Sequence, residues 1–198
     1  MKNYEYIISS LPVLSQDWKG NASLDPDAVV EQIREACGES DRALVDQLLS
    51  GFKTENLTQE FYDRALGSRD RFIREYFDFD LHVRNAKVRY LNKALGREPE
   101  QDTLSAGEEF EEAGTVEEVL SKTDLLEREN GLDSLMWDKV DGLTTFDYFD
   151  IGAILGFIAR LQIVSRWLKL DESAGREMFR RLVEQVRGTF KGVTYNDR

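Results

Sequence analysis

Asp78, Asp80 and His82, within the stretch YFDFDLHVRN (residues 76–85), stand on alternate residues and could all ligate a metal. In an extended strand alternate residues share a face, and the three would form a row of carboxylate, carboxylate and imidazole. On a helix the same residues scatter. Asp78, His82, Asn85 and Arg89 then fall at spacings of four, three and four on one polar face, while Asp80 lies roughly 200° away from Asp78. The chemistry left on the polar face is an Asp78–His82 pair of the i,i+4 kind, worth about 0.3 to 0.5 kcal/mol when solvated. Asp80, with Arg84 and Lys87, sits beside the apolar stripe, where an Asp80–Arg84 pair would fix helix register more than it adds stability.

The surrounding residues decide between the two geometries. From Arg69 to Leu95 there is neither proline nor glycine, and apolar residues recur at Phe72, Ile73, Tyr76, Phe77, Leu81, Val83, Val88, Leu91 and Leu95. One helix, roughly 40 Å long at about 1.5 Å per residue, explains this better than strands joined by no turn. Gly96 and Pro99 then supply its stop signals. The reading is helical, so the metal row dissolves, and neither a metal nor a cofactor is expected.

Other reactive constellations are equally thin. His82 is the single histidine and Cys37 the single cysteine, so Ser-His-Asp and Cys-His catalysis would both have to use one imidazole. No paired Glu-x-x-His motif suggests a di-iron bundle. Neither a G-x-x-x-x-G-K-[ST] loop nor a G-x-G-x-x-G turn is present to cradle phosphates. Carboxylates are abundant, and an acid–base hydrolase would require two of them to converge in a deep pocket. The chain is expected not to be an enzyme.

The elements that must position these residues read as helices. Asp25 and Pro26 open a helix carrying Val29, Val30, Ile33 and Cys37 up to Gly38. Leu44 to Phe52 and Phe61 to Leu66 supply two further stripes. YEYIISSLP at the start is a short β-rich run ended by Pro12, and admits either an extended segment or a helix. The segment 98–114 combines turn formers with acids and predicts a solvent-exposed linker between lobes at 1–97 and 115–198. Thr115 with Glu118 resembles a capping box, and Leu132, Leu135, Met136, Val140 and Leu143 form another stripe. A second long helix is expected from about Tyr148 to Leu170, with the triplet YFD repeated at its opening (Tyr148 to Asp150), and a last one from about Ser173 to Arg187. Gly152 and Gly156, in GAILG, would let another helix approach closely, and Trp137 and Trp167 read as core anchors or interface residues. The sum is an all-α chain of seven or eight helices, elongated or two-lobed.

Composition narrows the setting. The 198 residues are 41% hydrophobic and 32% charged, with a net charge of −12. Such a chain is repelled by nucleic acid and by anionic lipid heads. The charge is uneven: Glu98 to Glu129 holds twelve acids against Lys122 and Arg128, whereas Arg160 to Arg198 holds nine bases against five acids. A lone cysteine favours a reducing compartment. The opening residues lack a cleavage signature, and the apolar run 151–170 is broken by Arg160, Gln162, Arg166 and Lys169. The expectation is a cytoplasmic protein without membrane insertion.

The phrases YEYIISSLP, YFDFDLHVRN, LDSLMWDKVDGLTTFDYFDI and LQIVSRWLKLD together resemble an uncharacterised bacterial family encoded beside V/A-type ATPase subunits. That family is similar to the ATPase's helical central-stalk component, designated C, or d in eukaryotes. The resemblance implies an all-helical, non-catalytic protein of the rotary ATPase, placed at the central stalk or membrane ring and peripheral to the inner membrane. Asp80, Asn85 and Arg89 match the acid, amide and basic positions of the corresponding helix phrase. The match is loosest in length, since the central-stalk component has three similar lobes and this chain has room for about two. The competing expectation is a general helical adaptor or assembly factor binding through the acidic segment.

Overall fold

The computed structural model describes residues 4–107 and 110–170, the side chain of Lys19 excepted. The described residues form eight α-helices and no strand. They are α1 (Tyr4–Ser9), α2 (Pro26–Ala36), α3 (Glu39–Ser50), α4 (Gln59–Leu66), α5 (Arg71–Ala94), α6 (Ala113–Leu120), α7 (Leu125–Thr144) and α8 (Ile151–Leu168). The expected helix at 173–187 lies outside the described residues.

Each boundary has a local cause. The side chains of Asp25, Thr58, Asp70, Asp124 and Asp150 each accept from a backbone N–H in the first turn of the helix that follows. Such caps satisfy donors that have no partner within the helix. At the end of α5, Gly96 takes φ +65°, and two bonds close the turn: Gly96 N–H to Lys93 O at 3.2 Å and Arg97 N–H to Asn92 O at 2.8 Å. This pair is the Schellman closure that favours glycine.

One local alternative is resolved and one expectation corrected. The opening run is helical rather than extended. Tyr4, Ile7, Ile8 and Leu11 share one inward face, with Ile7 buried and the Tyr4 hydroxyl donating to Asp41 Oδ2 at 2.9 Å. Helical periodicity therefore outweighs the β propensity of Tyr and Ile. The capping box at Thr115 is also not made, because α6 begins at Ala113 and Thr115 already lies inside its first turn.

α8 occupies the middle of the fold. It packs on α7 and α5, and also on α1, α2 and α3 from the opposite half of the sequence. Ile154, Leu155, Ile158, Leu161 and Val164 are accordingly sealed from solvent. By length and composition α8 could cross a membrane, but most of it is buried against other helices. Burial all round accounts for its apolar character.

One continuous core joins these faces to α4, α5 and α7, and its densest part is aromatic. Phe61 and Phe77 meet edge to face at 4.9 Å, and Phe72 stacks on Tyr76 at 5.6 Å. The glycine spacing noted in α8 has the consequence expected of it. A Cβ on Gly156 would lie 2.5 Å from Thr144 Cγ2 and 3.3 Å from Val140 Cγ1, so α7 and α8 approach closely because no side chain intervenes.

Candidate functional site

Helix α5 carries the residues that first suggested chemistry, and each is engaged in packing. Asp80 keeps some surface, but its carboxyl is shielded and accepts from the Tyr62 hydroxyl of α4 at 2.7 Å. Burial pushes the Asp80 carboxyl above its ordinary range, opposed by the Tyr62 hydrogen bond and by the Lys87 and Arg84 charges. Its direct partner is thus Tyr62 instead of the expected Arg84, whose Nη1 lies 3.4 Å from Asn85 Oδ1.

The face carrying Asp78, His82, Asn85 and Arg89 is less solvated than its polarity suggests. Asp78 is half-exposed, but His82 and Asn85 are 8% and 1% exposed. His82 Nδ1 lies 2.8 Å from the Asp78 carbonyl oxygen and 3.9 Å from its carboxylate, and the ring packs on Phe110 at 4.8 Å. The covering comes from the segment that the sequence suggests is a free linker. After Gly96 the chain turns back along α5 and is held there.

Two asparagines spaced by two helical turns do the holding. Asn85 donates to Leu104 O at 2.8 Å and accepts from Leu104 N–H at 3.0 Å. Asn92 donates to Pro99 O at 3.2 Å and to Gln101 O at 2.6 Å. Between them Arg89 meets Glu100 at 2.8 Å, and this contact holds the Glu100 carboxyl below its ordinary range. Gln59 of α4 adds an acceptor for Ser105 N–H at 2.8 Å. A side-chain amide suits this work because it offers a donor and an acceptor to one peptide unit. Asp102, with φ +63°, makes the turn between the two attachments.

Between α5, this strap and α6 lies an open cleft of about 1140 Å³. Its wall includes His82, Arg89, Tyr90, Lys93, Glu100 and Glu117. Arg89 already holds Glu100, and Tyr90 lies under the Arg128 guanidinium at 4.8 Å.

The tryptophans form a second centre. Trp18 stacks on Trp167 at 5.7 Å and meets Trp137 edge-on at 5.9 Å. Trp18 Nε1 donates to Asn130 Oδ1 at 2.8 Å, and Trp167 Nε1 donates to Asp133 Oδ2 at 2.6 Å. Arg166 also bonds Asp133. Asp133 is 6% exposed, and burial raises its carboxyl above the ordinary range against the pull of Arg166. The arrangement ties α7, α8 and the turn at Trp18–Asn21 together.

Thus His82, Asn85 and Arg89 converge on the strap, and Trp137 and Trp167 converge on Trp18. Asp150 stands apart as the cap of α8, bonding Ala153 N–H at 3.1 Å. Asn92, Asp133 and Trp18 escape the sequence reading, and Tyr62 enters it only as part of an apolar stripe. Two left a usable signal: Asn92 repeats the side chain of Asn85 seven residues on, and Asp133 interrupts an apolar stripe as Asp80 does. Nothing local marks Trp18, whose partners are more than a hundred residues away.

No curated protein and no solved structure is significantly similar to the chain. A family model described as a protein of unknown function (DUF2764) matches residues 103–189, a span that takes in α6, α7 and α8.

Proposed function

We propose that the chain is a non-catalytic component or accessory protein of a V/A-type rotary ATPase, similar to the helical central-stalk component, acting in ion transport through contacts made by its helical surfaces. The observation that carries this reading is the use made of α5. The acid, amide and basic positions matching the central-stalk helix phrase, Asp80, Asn85 and Arg89, are occupied by Tyr62, Leu104 and Glu100. Groups already saturated by their own chain serve shape better than turnover. In the cleft, Glu100 is held by Arg89, which keeps its carboxyl ionised and unsuited to donating a proton at neutral pH. In this reading the protein is cytoplasmic, attached to the membrane only through the complex.

The test is affinity purification of the tagged full chain at native salt, followed by mass spectrometry. Components of the central stalk or membrane ring should be recovered in stoichiometric amount. Repeated recovery without any part of the ATPase would end the proposal.

A further inference from the structure

The six residues joining α7 to α8, Thr145 to Asp150, hold three aromatic side chains away from the body. Phe146 is 85% exposed, Tyr148 69% and Phe149 59%. Elsewhere Phe61 and Tyr62 of α4 and Phe72, Tyr76, Phe77 and Phe79 of α5 are buried to within a few per cent, so the fold has room for such rings but leaves these outside.

The backbone beneath them is nevertheless fixed. Asp147 N–H donates to Thr144 O at 3.0 Å, and the Asp147 carboxylate is only 16% exposed, bonded to Arg71 at 3.0 Å. Arg71 also donates to Leu143 O at 2.8 Å, which pins the loop to the start of α5. On the other side Asp150 caps α8. A Cβ on Gly152 would lie 2.5 Å from Asp147 Oδ2, so glycine at this position makes the space in which Asp147 sits. The loop's acids face inward and are spent on anchoring, and the aromatics face outward on a prepared frame. Such anchors lose little conformational freedom when they bind.

The surface can be sized. At about 200 Å² per ring, the three exposures come to roughly 430 Å² of aromatic surface. A stable interface needs about 800 Å² from each side, so this is the central part of a contact rather than the whole of one. The charge around the loop is largely paired, since Arg71 and Arg160 answer Asp147 and Asp141 and Asp150 caps α8, but the chain as a whole carries a net charge of −12. Two copies of so acidic a chain repel each other, and an anionic bilayer repels it as well.

We infer that the α7–α8 loop is a docking peg whose Phe146, Tyr148 and Phe149 enter an apolar pocket rimmed by Lys and Arg side chains on a partner protein. Resting on the ATPase reading, the inference places that pocket within the rotary complex. The aromatics supply the buried anchor, and the net negative charge of the chain orients the approach.

The decisive experiment titrates immobilised full-length chain with purified V/A-type ATPase, comparing wild type with the triple variant Phe146→Ser, Tyr148→Ser, Phe149→Ser. The variant should keep the circular dichroism and melting temperature of wild type, because the altered rings are exposed. It should bind at least about 100-fold more weakly, and raising salt from about 0.1 to about 0.5 M should weaken wild-type binding several-fold. Equal binding by wild type and a folded variant overturns the peg and leaves the ATPase reading standing. No binding by wild type overturns both. Salt-independent binding overturns the basic rim. Phosphatidylcholine–phosphatidylglycerol vesicles that sediment wild type but not the variant, or a wild-type dimer lost in the variant by sedimentation velocity, would reassign the aromatics and overturn the inference.

Discussion

Replacing Asn85 with alanine removes both bonds that hold Leu104 to α5, at 2.8 and 3.0 Å, from a residue only 1% exposed. Each such bond contributes about 1 kcal/mol net, so the clamp is worth about 2 kcal/mol. The loss can appear in two ways. If the strap belongs to the cooperative unit, the melting temperature falls by about 4 to 8 °C for a chain of this size. If the strap opens alone, the melting temperature holds and the strap's opening equilibrium rises roughly 30-fold. Hydrogen exchange at Ser105 separates these outcomes, because its amide is bonded to Gln59 and not to Asn85 and so reports release of the segment. Asn85→Asp is the sharper variant. It retains an acceptor for Leu104 N–H but has no donor for Leu104 O, and it sets an anion against a carbonyl. It should be at least as damaging as alanine. Unchanged melting and unchanged Ser105 exchange in both variants would refute the clamp.

Asp80 makes a prediction about pH. Its carboxyl is raised by burial, so its folded form favours the proton; its contribution to stability is full at low pH and is lost as pH rises through the raised value. Asp80→Asn, which still offers an oxygen to Tyr62, should therefore gain stability relative to wild type as pH climbs from about 4 to about 8 in urea titrations. A flat or opposite difference would show that Lys87 and Arg84 outweigh the burial. Gly156→Ala should gain about 1 kcal/mol of helix propensity but lose more to the clash with Thr144 Cγ2, for a net loss of roughly 1 to 2 kcal/mol. Adding Thr144→Ser, which removes that methyl, should recover most of the loss by the same measurement; no recovery would mean that Val140 sets the approach instead.

Much of the fold was legible because its signals are local. Asp25 with Pro26 announces α2, the side chain bonding three residues ahead, and Gly96 closes α5 by a conformation that glycine favours; the caps at Asp70 and Asp150 went unread, which set the expected starts two and three residues early. The α5 periodicity settled that Asp78, Asp80 and His82 would not line up. What sequence could not supply was the surroundings of that helix. Asn85 and His82 look solvated because they are polar, but their burial depends on a segment that returns roughly twenty to thirty residues later, as Leu104 and Phe110 do. The acids of 98–114 suggested a free linker, since composition records charge and is silent about backbone carbonyls reaching for asparagine. Asp80 drew an Arg84 assignment from helical spacing alone, whereas its hydroxyl partner comes from another helix. The initial run Tyr4–Ser9 was undecidable for a similar reason: its helix is secured by a contact with Asp41, far along the chain.

The position of α8 bears on how the chain is made. Helices α1, α2 and α3 emerge from the ribosome before α8, but the surface they rest on belongs to residues 151–168. At about 5 to 20 residues per second, roughly 7 to 30 s of synthesis separate α1 from its support. During that interval Ile7, Ile33, Val45 and Leu48 have no finished core to enter. The N-terminal half therefore completes its fold only once α8 has been made, and until then it is the stage at which a chaperone has something to hold.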